Sequence, residues 1–112
     1  MPMVFGFAEH RRQQLEAEFL RIAGSMNQLG AERFWLAGDL ARSSVRPESE
    51  LELLIVHETE QPFHRRSDFF QTHLRPQVGT TFIVYTPEEF ADLCETDAVI
   101  VETTSLSDEV IV

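Results

Sequence analysis

The sequence predicts one α/β (α+β) domain over residues 1–112. Short runs of β-branched and aromatic residues alternate with segments of helical periodicity, the pattern of helices packed on a sheet. One of those runs, Leu51–Val56, is apolar on both faces, as an interior strand must be. The chain has 112 residues, 43% of them hydrophobic, enough for one core and too few for two.

The first segment, Ala8 to Leu29, is helical. Leu15, Phe19, Ile22, Ala23, Met26 and Leu29 recur at spacings of three and four and form one apolar stripe. Arg11, Arg12, Gln14, Glu18 and Arg21 fall mostly off it, and Gly30 is placed to cap the helix. Arg33 to Ala37 then reads as a short aromatic strand, with Trp35 a core residue or an interface anchor, ending at Gly38. Leu40 to Arg46 has room for one helical turn, for which Asp39 is an N-cap candidate. Arg46-Pro47-Glu48-Ser49 is turn chemistry, because the residue before proline avoids helix.

The second strand opens with Glu50 and Glu52 and becomes wholly apolar up to Val56. Pro62 suits the first turn of a helix running to about Leu74, with Phe63, Phe70 and Leu74 on its apolar side. Thr80 to Thr86 is a third strand. Thr86-Pro87-Glu88-Glu89 is an N-cap, a proline at the first helical position and acids in the first turn, and Phe90 and Leu93 are that helix's apolar contacts. Asp97-Ala-Val-Ile-Val-Glu-Thr-Thr is β-branched and reads as strand on propensity.

Charge narrows the classes of function. Nineteen acids face nine bases, all of them arginine, for a net charge of −10. Such a surface repels polyphosphate backbones, so no nucleic-acid partner is expected. The single Cys94 has no disulfide partner in the chain and reads as a small buried apolar residue. No stretch approaches the ~20 apolar residues of a membrane span. The opening Met-Pro-Met-Val-Phe-Gly-Phe lacks the basic flank and long apolar run of a signal peptide. The expected location is the cytoplasm, with no membrane contact.

Glu50 and Glu52 are the strongest candidates for chemistry. Alternate residues of a strand point the same way, so these carboxylates lie on one face, ~7 Å apart along the strand, and can share a divalent cation. A solvated strand end is the plainer alternative. His64 and Asp68 are one helical turn apart, but two ligands do not make a site. His57 and His10 read as exposed polar residues. No Walker loop, Gly-x-Ser-x-Gly elbow or dinucleotide glycine cluster is present.

The stretch Leu36 to Val56 resembles the signature of minimal nucleotidyltransferases of the polymerase-beta superfamily. That signature is a strand, Gly-Ser, a short Ala-Arg-Gly helical turn, then Ser-Asp-x-Asp on the next strand. Gly38, Ala41, Arg42, Pro47 and Ser49 fit it as they stand. Asp39 replaces Ser, Ser43 replaces Gly, and Glu50 and Glu52 replace Asp. The stretch Tyr85-Thr-Pro-Glu-Glu-Phe90 is similar to the turn that follows the family's third strand.

The resemblance implies a nucleotidyltransferase fold, a small mixed β-sheet with helices packed against it. It implies a helix near Asp97 to Leu106 and an edge strand at Glu109 to Val112. Glu50 and Glu52 would be the metal ligands, and Gly38, Asp39, Arg42 and Thr81 the remains of the nucleotide site. Thr81 falls where the family has its third carboxylate. Asp39 sets an anion where the triphosphate would lie, unless it serves as a third metal ligand. Mg²⁺ binding is therefore expected to be weak or absent, and the domain to be catalytically impaired. Minimal nucleotidyltransferases are often paired with a helical HEPN-type protein, in toxin–antitoxin arrangements among others. A protein partner of that type, a homodimer or a hetero-complex is the expected mode of action, the apolar Glu109–Val112 edge being one reason. The alternative is an active Mg²⁺-dependent enzyme moving a nucleotide from a nucleoside triphosphate to a hydroxyl acceptor.

Overall fold

A computed structural model describes residues 3–110. The elements in order are helix α1 (Met3–Met26), strand β1 (Ala31–Ala37), helix α2 (Gly38–Ala41), strand β2 (Leu51–His57), a 3-10 turn (Phe63–Arg65) leading into helix α3 (Arg66–Leu74), strand β3 (Thr80–Tyr85), helix α4 (Pro87–Leu93) and helix α5 (Ala98–Leu106). The protein is a mixed α/β domain with a small three-stranded sheet. Its order is β1-β2-β3, with β1 antiparallel and β3 parallel to the central β2.

Alternation along β2 divides the core between two faces. Leu51, Leu53 and Ile55 face one side with Phe34, Phe82 and Val84. They are covered by Leu15, Ile22 and Met26 of α1 and by Phe70 and Leu74 of α3. Leu54 and Val56 face the other side with Trp35 and Tyr85, under Phe90 of α4 and Ile100 of α5. Trp35 stacks on Phe90 at 5.2 Å between ring centroids, with the Arg33 guanidinium over both rings. The strand with two apolar faces is thus the one with a helical layer on each side.

α1 runs five residues earlier and ends three earlier than its periodicity suggests. Asn27–Gly30 forms a hydrogen-bonded turn instead, closed by Gly30 at φ +86°, and β1 starts directly after it. The expected stripe is the packed one. Glu18, assigned to the polar side, is only 6% exposed. Arg21 holds it through two bonds of 2.8 Å, and the Gln77 amide donates to it at 2.6 Å. This clamp joins α1 to the turn before β3, and it keeps the Glu18 carboxyl below its usual pKa, chiefly through Arg21.

Helix α4 begins with a complete capping box, Thr86 Oγ1 accepting from the Glu89 amide and Glu89 accepting from the Thr86 amide. Helix α5 has the span implied by the resemblance, against its β propensity, because Asp97 accepts from the amides of Val99 and Ile100. The expected edge strand at Glu109–Val112 needs correction. Glu109 and Val110 are in no strand, and residues 111–112 lie outside the described part. Val110 still donates its amide to Phe34 O at 2.9 Å, Ser107 Oγ donates to Leu36 O at 2.6 Å, and Glu109 pairs with Arg33. The tail lies along β1 and is pinned there by single contacts, too few for a ladder.

Candidate functional site

The end of the sheet where β2 begins gathers the residues of the candidate site. Glu52 pairs in register with Ala37 on one side and Thr81 on the other. Glu50 directly precedes β2, beside Gly79, whose carbonyl accepts the Leu51 amide. Glu52 alternates onto the face that carries Leu54 and Val56, whereas Glu50, expected to open the strand, lies one residue before its start. The helical layer of that face is α4 and α5, whose buried anchors Phe90 and Ile100 sit over Trp35, Leu54 and Val56.

The two carboxyl groups lean apart. Glu52 lies over Gly38, where a β-carbon would collide with its carboxylate. Glu50 lies over Gly79, where a β-carbon would meet its Cδ at 2.9 Å. Gly38 leaves β1 and Gly79 enters β3, so each glutamate rests on the neighbouring strand's glycine. Gly38 has a second reason to be glycine, its φ of +71°.

The helical turn α2 starts at Gly38 itself, two residues before the sequence places it. Its N-cap is Ala37, with no side-chain cap, so Asp39 is not the cap its position suggests. Asp39 reaches across to the next connection. Ser49 Oγ donates to it at 2.7 Å while accepting the Arg46 amide at 2.8 Å. Arg42 approaches the carboxylate at 3.2 Å and Arg46 at 3.7 Å. Ser49, then Arg46 and Arg42, hold the Asp39 carboxyl below the usual carboxylate range. Arg11 of α1 donates to Ser49 O at 2.8 Å and fixes the connection from behind. Arg42 also pairs with Glu102 of α5 at 2.9 Å, so it spans two acids. Ser43, two residues past the end of α2, is held at φ +58°, a conformation a non-glycine residue adopts at a cost.

Glu52 is the one group here pushed the other way. Burial raises its pKa most; Asp39, Glu50 and Glu102 add to the rise, and Arg42 opposes it. An acid whose folded pKa lies above the unfolded value of 4.5 costs the fold stability once it ionises. Glu52→Gln is therefore expected to raise the melting temperature at neutral pH. The gain should shrink as pH falls through the folded pKa and vanish below about 4.5, where wild-type Glu52 is protonated in both states. Melting curves of both proteins from pH 4 to 8 read this directly.

The remaining candidates are dispersed. Asp68 pairs with Arg65 at 3.6 Å. His57 ends β2 with Nδ1 3.1 Å from Gly30 O and its ring stacked on Phe69. Among the described residues no three His, Cys, Asp or Glu side chains are gathered as a metal-binding group. None of those residues forms a helix long and apolar enough to cross a membrane. Sequence reasoning missed Glu102, which reaches the site only because α5 folds back over it; its spacing from Arg42 carries no local signal. In comparisons with models of known families, with curated proteins and with solved structures, nothing matches this chain.

Proposed function

We propose that this chain is a nucleotidyltransferase-like domain with an impaired nucleotide site, acting through a protein partner or as an oligomer. The observation that carries the reading is the engagement of Asp39. In the family resembled, the turn after the first strand cradles a triphosphate with backbone amides and a hydroxyl. Here that turn holds a carboxylate, and Ser49, Arg42 and Arg46 are all turned toward it. Around it stand four carboxylates, Asp39, Glu50, Glu52 and Glu102, against two arginines, Arg42 and Arg46. A triphosphate bringing about four negative charges meets a surplus of like charge there, and like charges at ~4 Å repel by ~4 kcal/mol at an effective dielectric of 20. Micromolar affinity totals only ~8 kcal/mol.

Titration calorimetry with ATP, GTP, CTP and UTP in excess Mg²⁺ or Mn²⁺ is expected to give no micromolar binding and no nucleotidyl transfer. Asp39→Ser combined with Thr81→Asp should gain binding, since it removes the blocking anion and supplies the third carboxylate beside Glu52. Micromolar affinity in the wild type, lost in Glu50→Gln or Glu52→Gln, overturns the impaired-site reading.

One observation favours the second reading, an active Mg²⁺-dependent nucleotidyltransferase. Glu52 is disfavoured as an anion among three other acids, and a divalent cation would relieve that cost. Under this reading Mg²⁺ raises the melting temperature of the wild type and leaves that of Glu52→Gln unchanged.

A further inference from the structure

We infer that α5 is an autoinhibitory latch on anion binding, its Glu102 carboxylate holding the edge of Arg42 that a polyphosphate would take. The latch rests on the reading of Arg42 as a remnant of the nucleotide site, and it adds how that site is regulated.

The contact has the geometry of a substitution. Arg42 turns its Nε–Nη2 edge to Glu102, with Nη2 donating to Oε1 at 2.9 Å and Nε to Oε2 at 3.4 Å. A two-nitrogen edge of this kind is what arginine offers a phosphate. The remaining nitrogen, Nη1, donates to Asp39 at 3.2 Å. Carboxylates thus fill the guanidinium from both sides, although the side chain is 41% exposed.

The two acids differ in how far they depend on Arg42. Asp39 keeps Ser49 and Arg46 when Arg42 is withdrawn. Among the described residues the Glu102 carboxylate has no other partner. Arg42 and Glu102 are both largely exposed, and an exposed pair adds little to stability. The pair is a poor tie for the fold, yet it occupies the arginine beside Glu52 and Asp39.

The helix can carry its acid away. Within Ala98–Leu106 only Ile100 and Thr103 are buried. Ile100 enters the cluster of Trp35, Leu54 and Phe90, and beyond the helix Ser107 Oγ donates to Leu36 O. Undocking α5 leaves the core under α1 and α3 covered. It also changes the charge balance of the site. Four carboxylates against Arg42 and Arg46 become three, and the phosphate-binding edge of Arg42 is freed.

The test titrates the full chain with inorganic triphosphate, without nucleotide or metal, and follows the amide resonances of residues 38–44. Wild type is expected to bind weakly, and Glu102→Gln about fivefold more tightly, the most that an exposed ion pair withholds. Glu95→Gln removes the same charge from an exposed acid that forms no ion pair among the described residues, and should leave affinity within about twofold of wild type. Adding Arg42→Gln to Glu102→Gln should cancel the gain. Ile100→Asp, which undocks the helix with Glu102 still in the chain, should produce a gain of its own. An equal gain from Glu95→Gln, a gain that survives Arg42→Gln, no gain from Glu102→Gln, or no gain from an Ile100→Asp protein whose β2 amides stay protected each overturns the latch. Asp39 is kept throughout, so this titration can fail while Asp39→Ser with Thr81→Asp still gains nucleotide. The reverse pair of results overturns the Asp39 reading and leaves the latch standing.

Discussion

Replacing Arg66 by methionine is expected to lower the free energy of unfolding by about 3 kcal/mol. Arg66 is only 8% exposed and joins three parts of the chain. Its Nε donates to Gln61 O at 2.9 Å, its Nη1 to Val84 O at 3.2 Å, and both terminal nitrogens to Glu89 at 2.5 and 3.0 Å. Methionine keeps much of the apolar stem and removes every donor. The Val84 bond is buried, and a buried acceptor left without a donor costs ~1–3 kcal/mol. The Glu89 side chain is 39% exposed, so water will take up much of its lost partner, and the pair itself deserves a discounted share. Because Arg66 first of all depresses the Glu89 pKa, the pair's stabilisation is complete above about 4.5 and fades as pH falls through the depressed folded value. The deficit of Arg66→Met should accordingly be largest near neutrality and smaller in acid. Urea unfolding at both pH values measures it, and an equal deficit at the two would show that the carbonyl bonds alone matter.

This linchpin was invisible in the sequence for a physical reason. Arg66 and Glu89 are 23 positions apart on different helices, and nothing local announces such a pair. What could be read was whatever depends on near neighbours. The α1 stripe follows from the helical repeat, the central position of β2 from its two apolar faces, and the start of α4 from the Thr86-Pro87-Glu89 cap. The face taken by Glu52 follows from strand alternation. The strand order, the buried Glu18 clamp and the reach of Asp39 to Ser49 all depend on tertiary approach. Asp39 is the clearest case. Its place ahead of Leu40 suggested a cap, whereas the turn begins at Gly38 and frees the side chain to bond ten residues ahead. The site's electrostatic balance was therefore legible as an excess of acid, while the pairing that distributes it was not.

The last helix combines both kinds of information, and it carries the other large expected effect. Ile100→Ala should destabilise α5 by about 3 kcal/mol. Val99, Ile100, Val101, Thr103 and Thr104 are β-branched, so five of nine residues disfavour helix through lost side-chain freedom. A nine-residue helix of any composition is marginal by itself. What holds α5 is the Asp97 cap, itself braced by the Tyr85 hydroxyl at 3.1 Å, the Arg42–Glu102 pair, the Ser107 contact and the burial of Ile100 and Thr103. Ile100 is fully buried in the smaller core with Trp35, Leu54 and Phe90. The other face of the sheet, with α1 and α3, does not touch it. Its truncation should therefore release α5 before the rest of the domain unfolds. Amide exchange is expected to accelerate by about a hundredfold at residues 99–106 and to change little in β2, whose apolar residues on the α1 side stay covered. In the same variant Arg42 loses its Glu102 partner. Uniform acceleration through β2 as well as α5 would show instead that the helix and the sheet open as one unit.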